Sequence, residues 1–84
     1  MANEKTTAVK NSSEAVANDY IAAYTSYKSK YEEYKDSTIS DEKELAQTSK
    51  TIANEIAIKY NECTKTVWKN RLPAEIPRTM ALIQ

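Results

Sequence analysis

The chain of 84 residues has no histidine and no glycine, and Cys63 is its only cysteine. One cysteine excludes an intramolecular disulfide and, without histidine, leaves a Cys/His zinc site short of ligands. Catalysis by a Ser/His/Asp triad or a Cys/His pair is excluded for the same reason. Without glycine the chain cannot supply the tight turns of a P-loop, a dinucleotide-binding fingerprint or an EF-hand.

Net charge and long apolar runs are missing as well. Twelve basic side chains balance twelve acidic ones, so no overall field draws the chain to nucleic acid or to an anionic membrane. No segment approaches the roughly 18 apolar residues of a membrane span, and there is no apolar core of a signal peptide. The composition predicts no nucleic acid, no membrane span and no cofactor. It predicts a soluble cytoplasmic product, which an extracellular or viral assembly could incorporate.

The most regular feature present is a series of tyrosines spaced by four, three, four and three residues. We call it the tyrosine stripe: Tyr20, Tyr24, Tyr27, Tyr31 and Tyr34. On an α-helix these side chains fall within an arc of roughly 80°. Tyrosine combines a large apolar ring with a hydroxyl that needs a partner, so the stripe predicts a partly dry contact between helices or subunits. A base-stacking platform is disfavoured because Glu32 and Glu33 interrupt any positive groove.

The first predicted helix spans residues 9–36 and contains the tyrosine stripe. Neither glycine nor proline occurs in it, and alanine is frequent in its first half, which favours helix. We expect residues 1–8 to form a flexible N-terminus because they are small and polar. Residues 37–40 are predicted to form a turn, since short polar side chains there compete for backbone hydrogen bonds.

A second predicted helix spans residues 41–71. Its apolar and small residues recur at helical spacing: Leu45, Ser49, Ile52, Ile56, Tyr60, Cys63 and Val67. Two stripes joined by a short turn predict antiparallel neighbours. The predicted fold is therefore all-α: an elongated, coiled-coil-like, antiparallel two-helix hairpin in a single helical domain over residues 1–84.

Pro73 ends the second predicted helix because it lacks an amide hydrogen and restricts the residue before it. Residues 72–84 then form a C-terminal arm, either extended or as a short helix. Met80, Leu82 and Ile83 make this arm more apolar than a free tail needs. We predict that it docks on a neighbouring subunit, and folding back onto its own chain is the alternative.

Two large apolar side chains, Ile58 and Trp68, lie off the stripe of the second predicted helix. Both are predicted to be exposed in an isolated hairpin and so to belong to a second contact surface. Cys63 lies on the stripe and is predicted to be a buried, inert thiol, with redox chemistry or cross-linking as the alternative. The carboxylates around the turn are interpreted as solvated charges and helix caps rather than as a metal site.

The predicted protein interface combines these residues, with no catalytic, cofactor or metal site: Tyr20, Tyr24, Tyr27, Tyr31, Tyr34, Ile58, Trp68, Met80, Leu82 and Ile83. This predicts a non-enzymatic structural subunit of a homo-oligomer, a filament or a larger complex such as a secretion apparatus or virion. In general plan, a short chain with two long helices around a polar turn resembles type III secretion needle subunits. A small helical inhibitor or adaptor of a larger protein is the alternative.

Overall fold

A computed structural model describes the backbone of residues 2–84 and the side chains of residues 13–84. It contains two α-helices, α1 (Ala2–Tyr34) and α2 (Ser40–Lys65), and no strand in the described part of the chain. The helices pack against each other as a hairpin, in a rod of 58 × 17 × 17 Å. The prediction of an all-α helical hairpin is confirmed.

The first helix begins earlier than the sequence indicated. It starts at Ala2, where a flexible segment over residues 1–8 was expected, and Met1 lies outside the described residues. Extending an existing helix adds one hydrogen bond per residue and avoids the cost of nucleation, and no glycine or proline interrupts this segment. In the turn that follows α1, the Ser37 hydroxyl donates to a Glu42 carboxylate oxygen (2.7 Å) and accepts from the Ile39 amide (3.0 Å).

The second helix ends at Lys65, six residues before its predicted end at residue 71. The chain leaves the helix at Thr66, whose backbone torsion angles are φ −120° and ψ −84°. The Trp68 amide then donates to the carbonyl of Cys63 (2.9 Å), which turns the chain back towards the hairpin. The residues after this turn contain no helix and no strand, so the predicted arm is not a short helix.

The buried face of α2 consists mainly of small side chains. Its members are Ala46, Ser49, Ala53, Ala57, Tyr60 and Thr64. Only Ser49 and Tyr60 belong to the predicted stripe, while Leu45 and Val67 are 41% and 59% exposed. The predicted position of the seam is therefore wrong by part of a turn. The physical reason lies in α1, because bulky tyrosine rings leave room only for small side chains opposite them.

Two side-chain contacts fix the register of this antiparallel pair. The rings of Tyr20 and Tyr60 have centroids 6.3 Å apart, and the Lys50 ammonium lies 5.8 Å from the centroid of the Tyr31 ring. The same register places three tyrosines level with small residues of α2: Tyr27 with Ala53, Tyr31 with Ser49, and Tyr34 with Ala46. Large side chains on one helix thus meet small ones on the other.

Candidate protein interface

The tyrosine stripe forms the seam between the chain's own two helices. All five of its side chains are half-buried. Lysines lie over the partly exposed rings, with these ammonium-to-centroid distances: Lys28 to Tyr24, 5.9 Å; Lys30 to Tyr27, 5.4 Å; Lys35 to Tyr31, 5.9 Å; and Lys50 to Tyr31, 5.8 Å. Cation–π contacts at such exposed sites contribute about 0.5–1 kcal/mol each. The stripe is thus largely occupied within one chain.

The prediction that Trp68 is exposed is wrong, because its side chain is only 5% exposed. The indole ring meets the rings of Tyr20 and Tyr60 at centroid distances of 5.8 and 5.7 Å, both edge to face. Trp68 does not have the orientation that a helical wheel gives it, because α2 ends at Lys65, before this residue. The three rings belong to the hydrophobic core at this end of the rod, together with Ala17, Ala57, Leu72, Ile76 and Met80.

The C-terminal arm folds back onto its own hairpin. Met80 is 7% exposed and packs in the same hydrophobic core as Trp68. Ile83 is half-buried, and Leu82 is 44% exposed. The arm therefore packs on its own chain, which was the alternative placement. The prediction that Met80 docks on a neighbouring subunit is wrong. The physical reason is that Tyr60 and Trp68 offer the arm an apolar surface on its own chain.

Two asparagines of α2 hold the arm by its main chain. The Asn61 amide accepts from the Met80 N–H (2.7 Å) and donates to the Met80 carbonyl (3.0 Å). Asn54 pairs with Ile83 in the same way, at 2.7 and 3.1 Å. Seven helical residues rise about 10.5 Å, and three extended residues span about 10 Å. The distance between the two asparagines along α2 therefore equals the distance between Met80 and Ile83 along the arm. Asn54 and Asn61 were not predicted as functional residues, and their only signal in the sequence is the seven-residue spacing.

Three hydroxyl groups add further contacts to the main chain of the arm. They donate to carbonyl oxygens as follows: Tyr24 to Ala81 at 2.5 Å, Thr64 to Arg78 at 2.6 Å, and Tyr60 to Pro77. These hydroxyls and the two asparagine amides bind the backbone of the arm and none of its side chains. The side-chain contribution to docking therefore comes from the burial of Leu72, Ile76 and Met80 in the hydrophobic core.

Arg78 closes the loop over residues 66–78, which connects α2 to the part of the arm that lies along the hairpin. Its guanidinium donates to the carbonyls of Leu72 (2.8 Å), Pro73 (3.0 Å) and Ile76 (2.9 Å). The rigid fork of five donors in arginine suits such convergent acceptors. The loop lacks the regular backbone hydrogen bonds of a helix. The guanidinium of Arg78 instead donates hydrogen bonds to these three carbonyl groups.

Burial raises the pKa of the Tyr60 hydroxyl above its ordinary value of 10.0, and the positive charge of Arg78 lowers it in part. A raised pKa means that the folded state holds this proton more tightly than the unfolded state does. The stabilisation is fully present below the unfolded pKa and is lost as the pH rises through the folded pKa.

We therefore expect the melting temperature to fall as the pH rises above about 10, and to fall less steeply in a Tyr60→Phe variant. Thermal melts followed by circular dichroism over this pH range test the expectation. The two proteins differ only at residue 60, so the difference between the two slopes isolates the Tyr60 hydroxyl. Parallel slopes would contradict a perturbed Tyr60.

Large aliphatic side chains remain on the surface of α2. Ile58 is 55% exposed, as predicted for a hairpin. Leu45 is 41% exposed, and Ile52, Ile56 and Cys63 are half-buried, so Cys63 is less buried than predicted. Except for Ile58, these side chains fall within an arc of about 40°. That arc lies on the opposite side of α2 from the two asparagines that hold the arm.

On the same side of the hairpin, α1 contributes a matching set of residues. Val16 is 42% exposed, and Ala23, Tyr27 and Tyr34 are half-buried, again within about 40° of arc. We call the surface formed by both helices the open face: Val16, Ala23, Tyr27 and Tyr34 of α1 with Leu45, Ile52, Ile56 and Cys63 of α2. The hairpin thus has one side covered by the arm and one side that no described residue covers.

The chemical groups of the described chain give no other site. In that part of the chain, no three His, Cys, Asp or Glu side chains come close enough together to hold a metal ion. Neither described helix is long and apolar enough to cross a membrane. No protein-family model, no curated protein and no solved structure matches the sequence or the fold.

Proposed function

We propose that the chain is a non-enzymatic structural subunit that assembles with copies of itself through the open face. The observation that carries this proposal is the choice of residues on α2. Ala46, Ala53 and Ala57 are fully buried, whereas Leu45 is 41% exposed and Ile52 is half-buried. Full burial of a leucine or isoleucine side chain contributes about 1.5–3 kcal/mol of stability. The isolated hairpin obtains only part of this stabilisation from Leu45 and Ile52, and association would supply the rest.

The size of the chain supports association as well. A domain of this length buries a modest fraction of its surface, and small folds gain stability from disulfides, metals or association. A disulfide within the chain is excluded because Cys63 has no partner. Covering the open face by another copy supplies the missing burial. The product in this proposal is a homo-oligomer or filament, or a part of a larger complex such as a secretion apparatus or virion.

The test compares Ile52→Ser, on the open face, with Ile58→Ser, which makes the same change away from it. Light scattering should show an oligomer for the wild-type chain and a weaker association, by at least about tenfold, for Ile52→Ser. Ile58→Ser should associate like the wild-type chain. Circular dichroism of each variant verifies that the helices remain.

Two outcomes would overturn the proposal. A wild-type chain that stays monomeric at every concentration would favour the inhibitor or adaptor function instead. Equal loss of association in both variants would mean that the open face is not the contact surface.

A further inference from the structure

This inference rests on the proposed function and concerns how two copies meet. The open-face residues of α2 are spaced by seven, four and seven positions: Leu45, Ile52, Ile56 and Cys63. Those of α1 have the same spacing: Val16, Ala23, Tyr27 and Tyr34. Each series has the same spacing when counted from either end. Turning a helix end over end about the midpoint of its series therefore places each of the four positions at the height of another of the four. The midpoints are residue 54 in α2 and residue 25 in α1.

The two midpoints lie at nearly the same height along the rod. In the register set by Tyr20 with Tyr60 and by Tyr31 with Lys50, residue 25 is level with residue 55 or 56. That is within about 3 Å of residue 54 at 1.5 Å per residue. A single two-fold axis, lying in the open face and crossing α1 near residue 25 and α2 near residue 54, therefore reverses both series at once.

The dimensions of the rod set the size of this contact. Because α1 runs from Ala2 to Tyr34, an axis at residue 25 overlaps residues 13–37 of the two copies, about 36 Å at 1.5 Å per residue. With a rod width of 17 Å, the contact is about 600 Å² per partner and about 1,200 Å² in total, at the lower end of the range for specific interfaces. All open-face residues of each copy are then covered.

The charges beside the open face agree with this reversal. Lys30 and Asp19 are exposed at the outer edge of α1, five residues after and six residues before its midpoint. Antiparallel contact of the two α1 helices brings Lys30 of each copy level with Asp19 of the other, which gives two ion pairs. This arrangement brings one pair of like charges together, the two copies of Glu55. Lys59 lies one helical turn from Glu55 in each copy and offsets part of that repulsion.

The competing arrangement has its two-fold axis along the rod and stacks α1 on α2 of the second copy. The register of the hairpin then places Asp19 level with Glu62 of the second copy, at the same outer edge. Two like-charge approaches replace the two ion pairs, and opposing like charges are unfavourable. Lys59, one helical turn from Glu62, offsets part of this repulsion. Lys30 has no acidic residue at its level.

We propose that two copies pack open face to open face about the axis near residues 25 and 54, with α1 antiparallel to α1 and α2 antiparallel to α2 of the second copy. Ile52 of each copy then contacts Ile56 of the other, and Leu45 contacts Cys63. The partner that fits this surface is a second copy of the chain, in a four-helix arrangement with both arms on the outside.

Cysteine cross-linking in a Cys63→Ser background tests this geometry. One chain carries Ile52→Cys and the other Ile56→Cys, and a size tag distinguishes them. Mild oxidation of the mixture should give a disulfide-linked heterodimer severalfold more abundant than the homodimer from either chain alone. If Ile52→Cys instead links to a chain carrying Tyr27→Cys, the axis lies along the rod and the proposed geometry is wrong.

Charge variants provide a second readout that needs no cross-link. Asp19→Lys should weaken association about tenfold because two exposed ion pairs become repulsive, and adding Lys30→Glu should restore it. The competing arrangement predicts the opposite, since Asp19→Lys would then pair with Glu62 and strengthen association. Glu32→Lys makes the same change in net charge at an exposed position on the other side of α1 from the open face, and it should leave association unchanged.

The same samples separate this inference from the proposed function. Light scattering reports whether the chains associate at all, independently of which cysteines link. An oligomer that fails both geometric tests overturns the two-fold arrangement and leaves self-assembly in place. A monomer overturns both.

Discussion

Replacing Trp68 by alanine is expected to lower the free energy of unfolding by about 3–5 kcal/mol, the range for loss of a buried aromatic residue. The indole lies between Tyr20 and Tyr60, and its removal leaves a cavity where the loop, the arm and both helices meet. Relaxation of the loop cannot fill this space easily, because Arg78 holds three of its carbonyl groups. Urea unfolding followed by circular dichroism measures the change.

The neighbouring residue provides a matched control for this substitution. Val67 is 59% exposed, so Val67→Ala should change the free energy of unfolding by no more than about 0.5 kcal/mol. Similar losses in the two variants would show that Trp68 is not part of the core. A loss confined to Trp68→Ala would confirm that the segment after α2 contributes to folding.

Deleting residues 74–84 is expected to destabilise the isolated hairpin by about 3 kcal/mol and to lower its melting temperature by roughly 12–24 °C. The deletion removes Ile76 and Met80 from the hydrophobic core and exposes the aromatic rings that they cover. It also removes the main-chain partners of Asn54 and Asn61. The entropy released by freeing the arm offsets part of this loss.

Two full-length variants make the deletion experiment specific. The double variant Asn54→Ala and Asn61→Ala should destabilise in the same direction, because the arm loses four hydrogen bonds. Leu82→Ala should have little effect, since Leu82 is 44% exposed. If the deletion reduces association but leaves the melting temperature of the monomer unchanged, the arm docks between subunits rather than on its own chain.

The two helices and their antiparallel arrangement were predictable because helical spacing and the absence of glycine and proline act locally. The end of α2 was not, since nothing between residues 65 and 71 breaks a helix by propensity alone. The chain leaves the helix where burial of Trp68 against Tyr20 and Tyr60 becomes more favourable than another helical turn. That competition is tertiary, so a local pattern does not contain it.

The seam was misplaced for a different reason. Hydropathy ranks Leu45, Ile52 and Ile56 above alanine, so the pattern assigned the larger residues to the contact with α1. Tyrosine rings on α1 instead require small partners, and Ala53 and its neighbours supply them. Predicting this choice requires the volumes on both helices together, whereas a helical wheel considers one helix at a time.

The arm was recognised as a docking segment, but its target was not predictable from its own residues. Asn54 and Asn61 fix the position of the arm, but in the sequence they are indistinguishable from ordinary polar surface residues. Their function becomes evident only when an extended chain lies beside α2, because three arm residues then match seven helical ones. The tyrosine stripe, which the sequence favoured as an interface, is mainly used within the chain. The open face takes its place in the proposed assembly.

Main-chain recognition of the arm has a practical consequence for engineering. Because the amides of Asn54 and Asn61 bind peptide groups, the exposed arm residues Thr79, Ala81 and Leu82 can differ in side chain without altering those bonds. These positions are suitable for attaching a fluorophore or an affinity handle at a fixed place on the rod. If copies assemble through the opposite side, such labels would repeat along the surface of the assembly and leave its contacts intact.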